Sequence, residues 1–254
     1  MNRTAASALL ACCLLAPSLA LPIAAQDASG STLFASQFAV TNTPIGALPP
    51  VVSREMMASL AQGFSFRIQY GYLGQEGAFN NDNFGIGFDI PTGRGTIGLT
   101  AGYTMRDCPD DIDCSGNVMA GLSWERRLTG LSIGAGAEAA GITLGIDGVL
   151  GVAKPDEDTF TPGLTLFSAG MGLPIAVNAG SGRIRFHPFL VPRFTWGRVT
   201  SDNGGDSGAG FMIGGGLGIS GISPALTVNI GFQKYMTVFS NAQFGVGVSI
   251  APRG

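Results

Sequence analysis

Apolar and small residues alternate along most of this chain, and the small-residue face carries few charges. Phe64, Phe66, Ile68, Tyr70 and Tyr72 alternate with Ser65, Arg67, Gln69 and Gly71. Phe84, Ile86, Phe88 and Ile90 alternate with Gly85, Gly87 and Asp89. The same period of two returns from Ile97 to Met105, Val118 to Glu125 and Ile142 to Asp147, and again in the second half from Phe167, Arg185, Phe211, Leu226 and Gln243 onwards. A period of two is the mark of a β-strand with two unlike faces, and these runs make ten strands. A soluble sandwich would turn a charged face to water. Here only 12 % of residues are charged and 40 are glycines, where a soluble domain carries roughly a quarter charged residues. Small polar side chains suit the crowded, hydrated inside of a closed barrel whose aromatic outside meets lipid. Only a closed sheet satisfies every backbone group there. The fold class expected is all-β: a transmembrane antiparallel up-and-down barrel of about ten strands.

The connections fit this. Longer segments, several of them acidic (Gly74–Asp82, Asp107–Gly116, Lys154–Thr161, Ser201–Gly208, Tyr235–Ala242), alternate with short turns (Pro91–Arg94, Ala179–Gly182, Gly221–Pro224). Barrels of this kind place long loops outside and short turns in the periplasm, which puts both termini in the periplasm. Leu128 to Gly141 alternates less regularly and reads as an extension of a neighbouring strand or as a further strand.

Three regions follow. Met1 to Ala25 has Arg3, an apolar run and small residues before Gln26, the pattern of a secretory signal peptide cleaved after Ala25 or, second, after Ala20. Residues 26–62 lack the alternation. Thr41 to Pro50 reads as loop and Ser53 to Leu60 as a short helix capped by Ser53, so the segment is expected as a periplasmic extension, with entry into the lumen as the alternative. Residues 63–254 form the barrel. Past the signal no run of 18 or more apolar residues occurs, so no transmembrane helix is expected. The net charge of -3 argues against a nucleic-acid partner.

With its signal peptide, alternating strands, long and short connections, and aromatic residues at strand ends (Tyr72, Tyr103, Trp124, Trp196, Tyr235), the chain resembles the bacterial outer-membrane β-barrel proteins of the OmpA-like and porin-like group. The resemblance implies a cell outer-membrane location, with outer-membrane lipid and the barrel-assembly machinery as partners. It implies a structural or surface-contact role with at most weak passive permeability. The alternatives are a small-solute channel and an adhesin acting through the acidic loops.

Alternation points Arg67, Asp89, Glu125, Asp147, Arg185, His187 and Arg193 into the lumen as a polar network. Buried charges need partners or water, and the arginine fork suits such pairing. His187 is the only histidine, and it is not expected to stand as a general base beside a candidate serine nucleophile, so no enzyme is expected. Cys108 and Cys114 close a short loop in an exported chain and are a disulfide candidate. Asp107, Asp110, Asp111 and Asp113 crowd that loop and make a weak calcium candidate without EF-hand spacing. No other metal site and no cofactor is expected.

Overall fold

The computed structural model describes residues 39–48, 50, 64–74, 80–93, 95–107, 116–133, 140–155, 163–180, 183–202, 204–223, 225–236 and 242–251. Eleven strands run in sequence: β1 (Ser65–Gly74), β2 (Asn80–Thr92), β3 (Gly95–Asp107), β4 (Asn117–Ile133), β5 (Ala140–Pro155), β6 (Thr165–Gly172), β7 (Ile175–Asn178), β8 (Arg185–Ser201), β9 (Gly204–Ser223), β10 (Leu226–Tyr235) and β11 (Ala242–Ile250). β6 and β7 are successive halves of one stave, both lying between β5 and β8. Leu173-Pro174 separates them, because proline has no N–H for the ladder. Each stave pairs antiparallel with the next in sequence, and β1 pairs with β11, so the ten staves close into a barrel with no free edge around its waist. Among the described residues no helix is long and apolar enough to cross a membrane; strands make the wall.

The wall is staggered. Partners followed from Arg67 through Gly87, Thr100, Gly121, Gly151 and Ser168 arrive at Gly197 on β8. Followed the other way, through Ser249, Thr227 and Ser220, they arrive at Arg185 on the same strand. Positions 185 and 197 are twelve residues apart, and this shear tilts the strands against the barrel axis. The end of the barrel where β1 begins and β11 finishes is called the base here, and the opposite end the loop end.

The two faces sort as alternation dictates. Phe84, Ile86, Phe88 and Ile90 of β2 and Ile97, Leu99, Tyr103 and Met105 of β3 all stand exposed on the outside. Ser65, Arg67 and Gln69 of β1, Asn83 and Asp89 of β2, and Thr96 and Thr104 of β3 are buried inside. Phe66 and Phe88 face each other across the β1–β2 ladder with ring centroids 5.1 Å apart, edge to face. Large apolar side chains left out of the interior make sense only against hydrocarbon. Ile86→Arg on this face therefore should lower the unfolding free energy by about 2–4 kcal/mol, while Ile86→Leu leaves it nearly unchanged. Urea unfolding in lipid vesicles, read as loss of the unboiled gel shift, checks this; equal stabilities would remove the lipid-facing assignment.

Several expectations are corrected. Ser201–Gly208 is not a loop: Ser201 pairs with Gly204, Thr200 with Gly205 and Arg198 with Ser207, so β8 and β9 stay paired up to Ser201 and Gly204. Gly204 starts β9 with a left-handed φ of +128°. For Leu128–Gly141 the first of the two alternatives holds and is not corrected: Leu128–Ile133 prolongs β4, past a bulge between Arg127 and Thr129, and Ala140 belongs to β5. Tyr72, Tyr103, Trp124 and Trp196 stand on the outer face, but Tyr235 is buried. On β10 the even-numbered Val228, Ile230 and Phe232 point out, which turns Tyr235 inward. The expected helix Ser53–Leu60, the boundaries at 25 and 62, and the pair Cys108–Cys114 with Asp110, Asp111 and Asp113 lie outside the described residues; Asp107 ends β3.

Candidate functional site: the filled lumen

Part of the segment expected as a periplasmic extension stands inside the barrel. Residues 39–48 and Pro50 occupy the lumen, with Ala39, Val40, Asn42, Thr43, Ala47 and Leu48 all buried. The reading of Thr41–Pro50 as loop is corrected as well: Pro44–Ala47 forms a single helical turn, α1, with proline in its first turn, where the missing N–H costs nothing. So short a turn has no stability of its own. The wall holds it.

Polar and steric contacts fix the segment at several heights. Near the loop end, the Asn42 Oδ1 accepts from Asn117 Nδ2 at 3.2 Å, Arg106 Nη2 at 3.2 Å and Asn81 Nδ2 at 3.5 Å. Thr43 and Ser168 share a hydrogen bond, Oγ1 to Oγ, of 2.5 Å. Lower down, the side-chain amides of Gln243 and Gln233 donate to the carbonyls of Ala47 and Leu48. The glycines of the wall make the room. A Cβ at Gly85 would stand 2.5 Å from Leu48 Cδ1, and one at Gly151 3.0 Å from Thr43 Cβ. One at Gly121 would stand 3.2 Å from the Pro44 ring, and one at Gly214 3.1 Å from the Pro50 ring. The inward glycines thus form a mould for this segment.

Beneath it lies the charged layer. Arg67 and Asp89 make a two-pronged pair, Nη2 to Oδ1 at 3.0 Å and Nε to Oδ2 at 2.5 Å, with Ser65 Oγ donating to Oδ2 at 3.3 Å. Arg193 pairs with Asp147 across an intervening stave. Gly172 is the ladder partner of both residues, and its missing side chain lets them meet. A Cβ there would strike Asp147 Oδ1. Glu125 is the ladder partner of Asp147 and is buried beside it. What remains between segment and charges is a cavity of about 50 Å³, lined among others by Pro44, Pro50, Arg67, Glu125, Asp147 and Arg193, enough for a few waters.

The sequence-derived network is therefore brought together in part. Arg67, Asp89, Glu125, Asp147 and Arg193 share one layer. Arg185 and His187 sit nearer the base, at and beside the ladder position of Ser220. The expectation that no serine stands beside the histidine is corrected, because His187 Nε2 lies 2.7 Å from Ser220 Oγ. A base within reach of a hydroxyl is one requirement of nucleophilic catalysis. The others are missing among the described residues: His187 is fully buried and its Nδ1 has no hydrogen-bond partner. No group of three or more metal-ligating side chains occurs among them either. Sequence reasoning missed Asn42, Asn81, Arg106, Asn117, Tyr235, Gln233 and Gln243. Tyr235 covers Gly210 and its hydroxyl accepts from Thr195 Oγ1 at 3.2 Å.

No protein-family model matches the chain and no curated protein matches it. Among solved structures it is similar to Ail, the attachment invasion locus protein of Yersinia pestis, at 8 % identity and a TM-score of 0.31, covering 74 % of this chain and 95 % of that one. It is similar to the translocator domain of autotransporter NalP from Neisseria meningitidis at 13 % and 0.31, covering 74 % and 88 %. It is similar to outer membrane phospholipase A from Escherichia coli at 11 % and 0.29, covering 79 % and 98 %. Likeness at this level carries no activity across. The membrane assignment stands on the barrel's own two faces: an aromatic and aliphatic exterior, and a closed polar interior that no water-soluble sheet would need. The chain is a ten-staved antiparallel β-barrel of the bacterial outer-membrane type.

Proposed function

We propose that this barrel is a closed, non-enzymatic outer-membrane protein with a structural or surface-contact role and at most weak passive permeability. Its base faces the periplasm, its loop end faces outward, and its partners are outer-membrane lipid and the barrel-assembly machinery. The observation that carries this reading is the filled lumen: residues 39–48 and Pro50, set into wall glycines above two ion pairs, leave a cavity of about 50 Å³ between themselves and the charged layer. A solute path needs a continuous hydrated bore, and a sugar or an amino acid does not fit the space that is left. The His187–Ser220 pair supports no turnover, since it is sealed from solvent and lipid alike.

Planar-bilayer recording of the purified full-length protein tests the proposal. The expected trace shows no sustained current steps above the lipid baseline. Regular steps from the intact protein would overturn the closed-barrel role in favour of a small-solute channel.

A further inference from the structure

We infer that the end of β4 beyond Glu125 is a docking edge, and that it takes an extended, acidic peptide segment of another protein on the base side of the membrane.

Around the waist of the barrel every stave has two neighbours. β4 outruns one of them. Its last rung with β3 joins Thr96 to Glu125, next to the start of β3 at Gly95. Its rungs with β5 continue, from Arg126–Ile146 to Ile133–Ala140. Residues 126–133 are thus paired on one side: among the described residues no strand, isolated bridge or turn hydrogen bond meets the other side. Arg126 to Ser132 are all exposed as well, Leu128 at 55 % and Leu131 at 57 %.

An antiparallel strand paired on one side turns alternate N–H and C=O groups away from its neighbour. Such groups do not stand unpaired in hydrocarbon, so this edge lies in the water at the base. Sheets blunt their exposed edges with charges, prolines or bulges. Here the bulge and the charges come early, at Leu128 and at Arg126 and Arg127. From Thr129 to Ile133 the rungs with β5 are regular, and the sequence Thr-Gly-Leu-Ser-Ile holds no charge and no proline. That stretch offers the ladder that strand addition needs: main-chain hydrogen bonds give affinity, and flanking side chains choose the partner.

Charge makes the choice. Arg126 and Arg127 stand exposed where the extension begins, and Arg127 reaches along it, over the place where Gly130 would carry a side chain. No acidic residue occurs among the described residues of the extension, or of β5 opposite it from Ala140 to Ile146. A second copy pairing edge to edge would gather four arginines with no carboxylate between them. A strand with acidic residues at one end and small or apolar ones along the rest answers both the arginines and Leu131. The inference rests on the sheet alone; silence in bilayers, which tests the closed lumen, and uptake of a peptide can fail separately.

Full-length protein in neutral detergent, shown to be folded by the unboiled gel shift, is titrated into a fluorescent peptide of two glutamates followed by alternating valines and threonines. Saturable binding by anisotropy is expected. Arg126→Glu/Arg127→Glu should bind it about tenfold more weakly, the loss of two exposed ion pairs, and should take the version with two lysines instead. The same peptide with its peptide nitrogens methylated has no N–H to add to the ladder and should not bind. No saturable binding overturns the inference. So does equal binding of the methylated peptide, which would mean that the arginines hold any acid, a lipid phosphate included. A protein that sediments as a dimer and takes up no peptide has its edge covered by a second copy, and overturns it too. Arg126→Gln/Arg127→Gln repeats the measurement if the glutamates prevent folding.

Discussion

Deletion of residues 39–50 is expected to turn a silent barrel into a conducting one. The intact lumen is filled at the height of Gly85, Gly121, Gly151 and Gly214, four wall positions that carry no side chain and leave room for the segment. Once the segment is gone, nothing in the described wall replaces it. Water enters, and the amides of Asn81, Asn117, Gln233 and Gln243, which held the segment, become lining groups. Bilayer recording should show discrete steps from the deleted protein and none from the intact one. Filling the mould gives the same answer without deletion: Gly85→Phe places a ring where Leu48 lies and should also open the barrel. A Thr43→Cys/Ser168→Cys pair, built on side-chain oxygens 2.5 Å apart, should cross-link and stay silent. Unchanged silence after deletion would show that the layer around Arg67 and Arg193 closes the lumen alone.

The second large effect concerns that layer. Asp89→Ala strips Arg67 of its two-pronged partner while the guanidinium stays buried. Removing one member of a buried pair typically costs about 3–5 kcal/mol, because the remaining charge is uncompensated. Replacing both, as in Arg67→Met/Asp89→Leu, should recover most of that loss, since two apolar side chains carry no desolvation penalty. The midpoint of urea unfolding in vesicles reads the difference. A double variant no more stable than Asp89→Ala would mean that the pair is held in place by the wall and not by its charges.

Strand positions were largely legible in the sequence because alternation reports a local property: whether a side chain meets lipid or lumen. The parity that put Arg67, Asp89 and Arg193 inside also reverses Tyr235, whose neighbours Val228 to Phe232 settle its side. An aromatic residue at a strand end reads as a membrane belt only until its parity is counted. Partnership was not legible. Arg193 reaches Asp147 across a stave, at a gap left by Gly172, and His187 finds Ser220 through the β8–β9 register. Parity says which face a residue shares; register says whom it meets, and register depends on where hairpins turn, as between Ser201 and Gly204. The lumen segment left the faintest trace. Its short helical pieces, at 39–41 and Pro44–Ala47, have no periodicity to read, and its signature lies elsewhere in the chain, as glycines on the inner face of four strands.

The seam between β1 and β11 has a consequence for how the molecule is assembled. Its rungs join Phe66 to Ile250 and Gly74 to Ala242, whereas the long β8–β9 hairpin is closed by Ser201 and Gly204, near neighbours in the chain. Joining the ends of so long a stretch of chain is entropically the most expensive closure in the sheet, so it comes late. By then residues 39–48 and Pro50 must already be in position. The finished bore is too narrow for Pro44 and Leu48 to climb past the side chains beneath them. The sheet is therefore wrapped around its contents, and the last rungs act as a clasp. Escape of the segment requires the clasp to open, and its residence is governed by the rate of unzipping as well as by the strength of its own contacts.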